Sequence, residues 1–265
     1  MLGRVRRSVV LGSLGLAASG VACSSANQPT HVARDPALRG PPFFLYSASD
    51  TTRPPRAVIF FFGNDIGFWR PHRQLAAALG AARYAVAGFD MRPLLRALPA
   101  ARPARDSTFV ARIVPLIARA RHELRGDSVP LVIAGHSLGA EVAIWTAAFA
   151  RPRGVVGVLA MSPGSRSHLR VSASDVLNGP EPTGPESFSV AQAIAAIPPC
   201  ERVAVIRGTR DRLARADSVL LAAGGERAGR FAIPLAGHSL KGLVMTDFQA
   251  RRALEWMLGP SPGRR

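Results

Sequence analysis

The stretch Leu131–Trp145, LVIAGHSLGAEVAIW, decides how this chain is read. A continuous apolar run, Leu131 to Ala134, enters Gly135-His136-Ser137-Leu138-Gly139, and a helix-forming segment follows. A strand that passes through G-x-S-x-G into a helix is the context of a nucleophile elbow, a sharp turn that lifts the serine hydroxyl clear of the sheet. The reason is steric. The serine takes a strained backbone conformation, and Gly135 and Gly139 carry no Cβ where strand and helix come close. Ser137 then stands at the amino end of the helix, where the Leu138 amide and the helix dipole face negative charge formed beside it. The competing reading, an idle serine in a glycine-rich turn, has no use for the strand and helix on either side.

A nucleophile needs a base, an acid and an oxyanion hole. His136 adjoins Ser137, but adjacent residues at such a turn point apart, so His136 reads as a packing residue. His238, in PLAGHSLKG just past the last strand, is placed where a loop can carry its imidazole over Ser137. Asp211, in VAVIRGTRD, lies a short turn beyond the penultimate strand and can orient that imidazole; Asp217 falls inside the next helical stretch, where a helix-surface role suits it. The order Ser137, Asp211, His238 is that of α/β-hydrolase triads. After AVIFFF (57–62), the loop GNDIGFW assigns the second oxyanion amide to Asn64, with Gly63 allowing close approach. Asp65 reads either as a solvated loop residue or as a counter-ion for a cationic substrate group, and Glu141 as pointing back along its helix.

Outward from the elbow the pattern alternates. FFLYSA (43–48), AVIFFF (57–62), YAVAGFD (84–90), PLVIAG (130–135), GVVGVLAMS (154–162), RVAVIRG (202–208) and RFAIPL (230–235) are strand-like. Between them lie helices through RPHRQLAAALGAA, through STFVARIVPLIARARHEL interrupted by Pro115, after Gly139, after Asp211, and last around Asp247–Leu258. Short apolar strands alternating with helices predict a mostly parallel central sheet with helices on both faces, and ligands at the carboxyl ends of its strands. At 265 residues one large domain, 43–260, accommodates all of this. The segment 165–199 is polar and rich in Pro and Gly, unlike the apolar lid of a triglyceride lipase.

The amino end is of another kind. Residues 1–22 have a basic start (Arg4, Arg6, Arg7) and an apolar run from Val9 to Ala22, an export signal too short to span a membrane. The ending GVAC resembles a bacterial lipobox, which makes Cys23 the lipidated first residue of the mature protein. Gly20 stands where that box has an aliphatic residue, which leaves cleavage by the ordinary signal peptidase open. Residues 23–42, polar and aperiodic, read as a tether. If Cys23 is acylated, Cys200 is the one thiol left and no intramolecular disulfide forms. The formal charge is +17, falling to +14 once Arg4, Arg6 and Arg7 are removed. Lys241 is the lone lysine, so the charge reflects a general arginine bias, and no arginine run is interleaved with aromatics as a nucleic-acid platform requires. No His, Cys, Asp or Glu cluster has metal-ligand spacing, and no cofactor motif is present.

The chain after the tether resembles the VirJ/AcvB family of bacterial virulence-associated α/β-hydrolases. FFGNDIGFWRPHRQLAAALGAARYAVAGFDMRPLL is similar to that family's glycine-acid-glycine-tryptophan segment, GHSLGAEV to its serine elbow and LAGHSLKG to its histidine loop. It departs in the GNDIG loop, in His136 and Leu138 where an aromatic pair is common, and in having a single histidine in the last loop. The resemblance implies an envelope hydrolase, with aminoacylated phosphatidylglycerol among its substrates, held near the membrane by its lipid anchor. The residues themselves imply an exported serine esterase acting through an acyl-enzyme. A non-catalytic hydrolase-fold protein binding a lipid or a secretion component, and an acyltransferase or peptidase on the same triad, are the alternatives.

Overall fold

The computed structural model describes residues 28–33, 43–98, 107–177, 179–239 and 243–260. The segment read as an export signal, Cys23 and most of the segment read as a tether lie outside them. Among the described residues there are ten strands: β1 (His31–Ala33), β2 (Phe43–Tyr46), β3 (Val58–Phe62), β4 (Ala85–Phe89), β5 (Leu131–His136), β6 (Val155–Met161), β7 (Arg166–His168), β8 (Ser187–Ser189), β9 (Arg202–Gly208) and β10 (Ala228–Ile233). The helices are α1 (Arg70–Ala81), α2 (Arg92–Arg96), α3 (Ser107–Glu123), α4 (Leu138–Trp145), α5 (Ala173–Val176), α6 (Val190–Ala196), α7 (Asp217–Gly224) and α8 (Leu243–Leu258).

Eight strands form one sheet in the order β1-β2-β4-β3-β5-β6-β9-β10. From β4 to β10 every pairing is parallel, and β2 and β1 add an antiparallel edge. This is the α/β-hydrolase fold anticipated above. One boundary moves: residues 31–33, read as tether, pair with β2 and extend the sheet. Pro115 also fails to interrupt its helix. α3 runs through it, at the cost of the single backbone donor that proline lacks.

Strand pleating sorts the core into two. Val58, Phe60 and Phe62 face the side covered by α3, α4, α6 and α7, and Ile59 and Phe61 face the side covered by α1 and α8. All five are fully or almost fully buried, as expected of a strand with helices on both faces. The chain steps from β3 outward to β4 and then returns to place β5 on the other side of β3. That reversal opens a crevice at the carboxyl ends of β3 and β5, where ligands of parallel sheets bind.

Between β6 and β9 the chain departs from simple alternation. Residues 162–199 carry a small antiparallel pair, β7 with β8, and the helices α5 and α6. Sequence periodicity showed only an irregular polar stretch, because strands of three residues are too short to display one.

Candidate active site

Ser137 sits between β5 and α4 with φ 54° and ψ −126°, a conformation that L residues adopt only under strain. What holds it there is close packing around the turn. A Cβ on Gly135 would overlap the Gly139 carbonyl, and a Cβ on Gly139 would overlap the Gly63 carbonyl at the end of β3. The Ser137 amide donates to Met161 of β6 at 2.8 Å, and its carbonyl accepts from Ala140 at 2.8 Å, so the turn is bonded on both sides.

The strand ends bring the three predicted partners together. His238 Nε2 lies 2.9 Å from Ser137 Oγ, and His238 Nδ1 lies 3.2 and 3.3 Å from the two carboxylate oxygens of Asp211. With Asp211 as acceptor, Nδ1 carries the proton and Nε2 presents its lone pair to the serine hydroxyl. Burial works to raise the Asp211 pKa. Hydrogen bonds from His238, the Leu213 amide and Arg207 outweigh it and hold the carboxyl far below the usual range. Asp211 is therefore an anion near neutral pH.

His136 is buried as expected, but it does more than pack. Its Nε2–H donates to the His238 carbonyl at 2.9 Å, and its Nδ1 accepts from His72 Nε2 at 3.0 Å. The elbow thus grips the backbone of the loop that carries His238. Burial drops the His136 pKa to about 4, against the bond to the His238 carbonyl, which works to raise it; burial and His136 push His72 well below its usual value. Both rings are neutral near pH 7.

Three residues stand where the sequence did not put them. The Asn64 amide, expected to face the oxyanion, donates to the Gly67 carbonyl at 3.3 Å, while the Gly67 amide donates back at 2.9 Å. Gly67 has φ +106° and closes the loop on itself, which turns the Asn64 amide inward. Asp90 and Arg92, paired at 2.6 Å, back this loop; the Arg92 guanidinium fills the space beside Gly67. Glu141 does not simply point back along its helix; it reaches across to the segment after β6. Its carboxyl is buried, accepts from the Gly164 amide at 2.7 Å, and is pushed up to about 8 by burial. Asp217 is no surface residue either: it is buried at the start of α7 and bonded to Arg207.

A cavity of about 300 Å³ opens beside Ser137. Leu138 lines it, and so does Asp65, whose half-buried carboxyl is raised chiefly by desolvation. The far wall comes from the 162–199 segment: Asp175, Glu181 and Arg166. Glu181 is fixed by the amide and hydroxyl of Ser165, and Asp175 by His168 at 2.9 Å and by the amide and hydroxyl of Ser172, the N-cap of α5. Four acids, Asp65, Glu141, Asp175 and Glu181, thus surround a small cavity in a chain of strongly positive net charge. Sequence order pointed to Asp65 alone, since the rest arrive through tertiary folding.

No protein-family model and no curated protein matches the chain. Solved structures do. An esterase of Pyrococcus furiosus superposes with a TM-score of 0.57 at 16% identity, covering 88% of this chain and 100% of that one. The esterase domain of a Rhodothermus marinus protein gives 0.56 at 14% identity over 82% and 91% of the two chains. A soluble variant of the Saccharomyces cerevisiae monoglyceride lipase gives 0.56 at 13% identity over 83% and 92%. At these identities the likeness is one of fold, the α/β-hydrolase fold.

Proposed function

We propose that this chain is a serine hydrolase that cleaves a carboxylic ester through an acyl-enzyme. The observation that carries this reading is the continuous hydrogen-bonded path Ser137–His238–Asp211 ending on a strained elbow. Ser137 Oγ attacks the ester carbonyl as His238 Nε2 takes its proton; the imidazolium then returns that proton to the departing alkoxide. A water deprotonated by the same nitrogen releases the acid. Asp211 holds the imidazole tautomer and stabilises its charged form. The Leu138 amide, first of α4 and outside the helical ladder, is the oxyanion donor this geometry supports. The Asn64 amide can serve as a second donor only if its bond to the Gly67 carbonyl opens.

Asp65, Asp175 and Glu181 around the cavity favour an ester with a cationic group near its carbonyl; Glu141, protonated near pH 7, adds no charge. An aminoacyl ester has that chemistry, and the resemblance to VirJ/AcvB proteins extends it to aminoacylated phospholipids. Export through residues 1–22 and lipidation at Cys23 belong to the same proposal, since both would hold the site near such a substrate. The chain's positive charge would favour an anionic membrane.

The test is labelling with a fluorophosphonate, followed by turnover of short neutral esters and of aminoacyl lipids. Ser137→Ala should abolish both labelling and turnover, by about 10⁶-fold in kcat. Ester cleavage retained by a folded Ser137→Ala protein would overturn the mechanism. Asp65→Asn should weaken aminoacyl-ester cleavage by about 1–3 kcal/mol while sparing neutral esters. Equal loss on both would make Asp65 a support of its loop.

A further inference from the structure

A fully buried arginine stands directly behind the acid of the triad. Arg207, on β9, has no exposed side-chain surface, yet every nitrogen of its guanidinium is bonded. Nη1 donates to Asp211 Oδ2 at 2.9 Å, Nε to Asp217 Oδ1 at 2.9 Å, and Nη2 to the Pro163 carbonyl at 2.6 Å. On the far side of Asp217, Arg230 of β10 approaches Oδ2 at 3.1 Å and is half exposed. The side chains form a line of alternating charge that begins in solvent and ends on the catalytic imidazole: Arg230, Asp217, Arg207, Asp211, His238.

We propose that Arg207 is a positioning residue of this catalytic centre, clamping Asp211 against His238 and, as one link in that alternating line, setting how tightly the imidazole holds its proton. The geometric part follows from the bond pattern. Asp211 follows a strand and sits on a short loop; Leu213 fixes one of its oxygens and Arg207 fixes the other, so the carboxylate plane faces Nδ1. Through Pro163 the same guanidinium ties this loop to the end of β6, beside the Gly164 amide that binds Glu141.

The electrostatic part follows from sign. The Asp211 charge favours the imidazolium, Arg207 opposes that support, and Asp217 in turn offsets Arg207. A low-dielectric interior leaves these charges poorly screened. A base must be unprotonated before attack, and the line sets alternating charge directly behind the ring that plays that part. Other groups also face this ring: Ser137 and the neutral His136 from the elbow, and Asp65 from the β3 loop. Glu141, Asp175, Glu181, Arg166 and Arg212 lie around the cavity onto which it opens. Asp217→Asn touches none of them, so its shift reports the line itself; Arg207→Met also frees the Pro163 carbonyl beside the Gly164 amide that binds Glu141, which makes Asp217→Asn the control.

The two interior links should act in opposite directions. Arg207→Met removes a positive charge and should raise the pH at which His238 half-protonates by about one unit; Asp217→Asn keeps the acceptor, removes a negative charge, and should lower it by about half a unit. Two readouts are needed because the inference rests on the serine-hydrolase reading. The acid limb of kcat/KM on a short neutral ester gives the catalytic value. An NMR titration of the His238 ring in the full-length protein gives it without turnover, so absent esterase activity would defeat the reading and still leave the charge line tested. Arg207→Lys should recover part of the shift, and with it part of kcat. Shifts of one sign in both variants, or none in either, would overturn the proposal. Should Arg207→Met fail to fold, an unmoved titration in Asp217→Asn overturns it alone.

Discussion

Glu141 offers the sharpest test of the cavity's electrostatics. Its carboxyl is buried beside Ser137, and burial raises its pKa from 4.5 to about 8. A carboxyl raised on folding contributes most at low pH: below pH 4.5 both folded and unfolded chains hold its proton, and the contribution is lost as pH climbs toward 8. Between pH 4.5 and about pH 7 the unfolded chain ionises this group and the folded chain does not. At about 1.4 kcal/mol per pH unit, that removes about 3 kcal/mol of stability. Glu141→Gln preserves the acceptor for the Gly164 amide and has nothing to ionise, so it should match the parent near pH 4.5 and exceed it by about 3 kcal/mol near pH 7. For a chain of this size the gain is visible as a rise in Tm of roughly 6–12 °C. Urea unfolding of parent and variant at matched pH values from 4.5 to 7.5 isolates the effect, because every other titrating group is common to both. A difference that stays constant across that range would refute the reasoning, since it would mean that Glu141 ionises as readily inside the cavity as in the unfolded chain.

Gly139→Ala should cost about 1–3 kcal/mol in urea unfolding and abolish fluorophosphonate labelling, because the new Cβ overlaps the Gly63 carbonyl and pushes the loop after β3 away from α4. His136 behaves opposite to Glu141: its pKa of about 4 means that the folded chain loses stability as pH falls from about 6.5 to 4, roughly 3 kcal/mol in all. His136→Gln should flatten that loss in acid unfolding curves; an unchanged slope would remove the ring from the account. Mass spectrometry of the exported protein should find a mature chain beginning at a lipidated Cys23; an unmodified start further along would leave a soluble exported enzyme and remove the membrane argument.

What the sequence determined is local and ordered. Continuous apolar runs such as Phe60–Phe62 and Leu131–Ala134 announce strands covered on both faces, because burial on two sides leaves no polar position in the pattern. The elbow is legible because its glycines sit where any Cβ would collide, and the order Ser137, Asp211, His238 places each group at a strand end on one side of the sheet. What the sequence could not determine depends on where side chains go once strands from distant segments lie together. The inward turn of the Asn64 amide follows from Gly67 at positive φ. The entry of Glu141 into the cavity depends on the Gly164 amide, 23 residues away. Arg207 gave no signal at all, being a charge in an apolar strand whose partners lie four and ten residues on and, at Pro163, 44 residues back. A buried charge survives only where all its bonds are met, and those bonds are made by the tertiary fold.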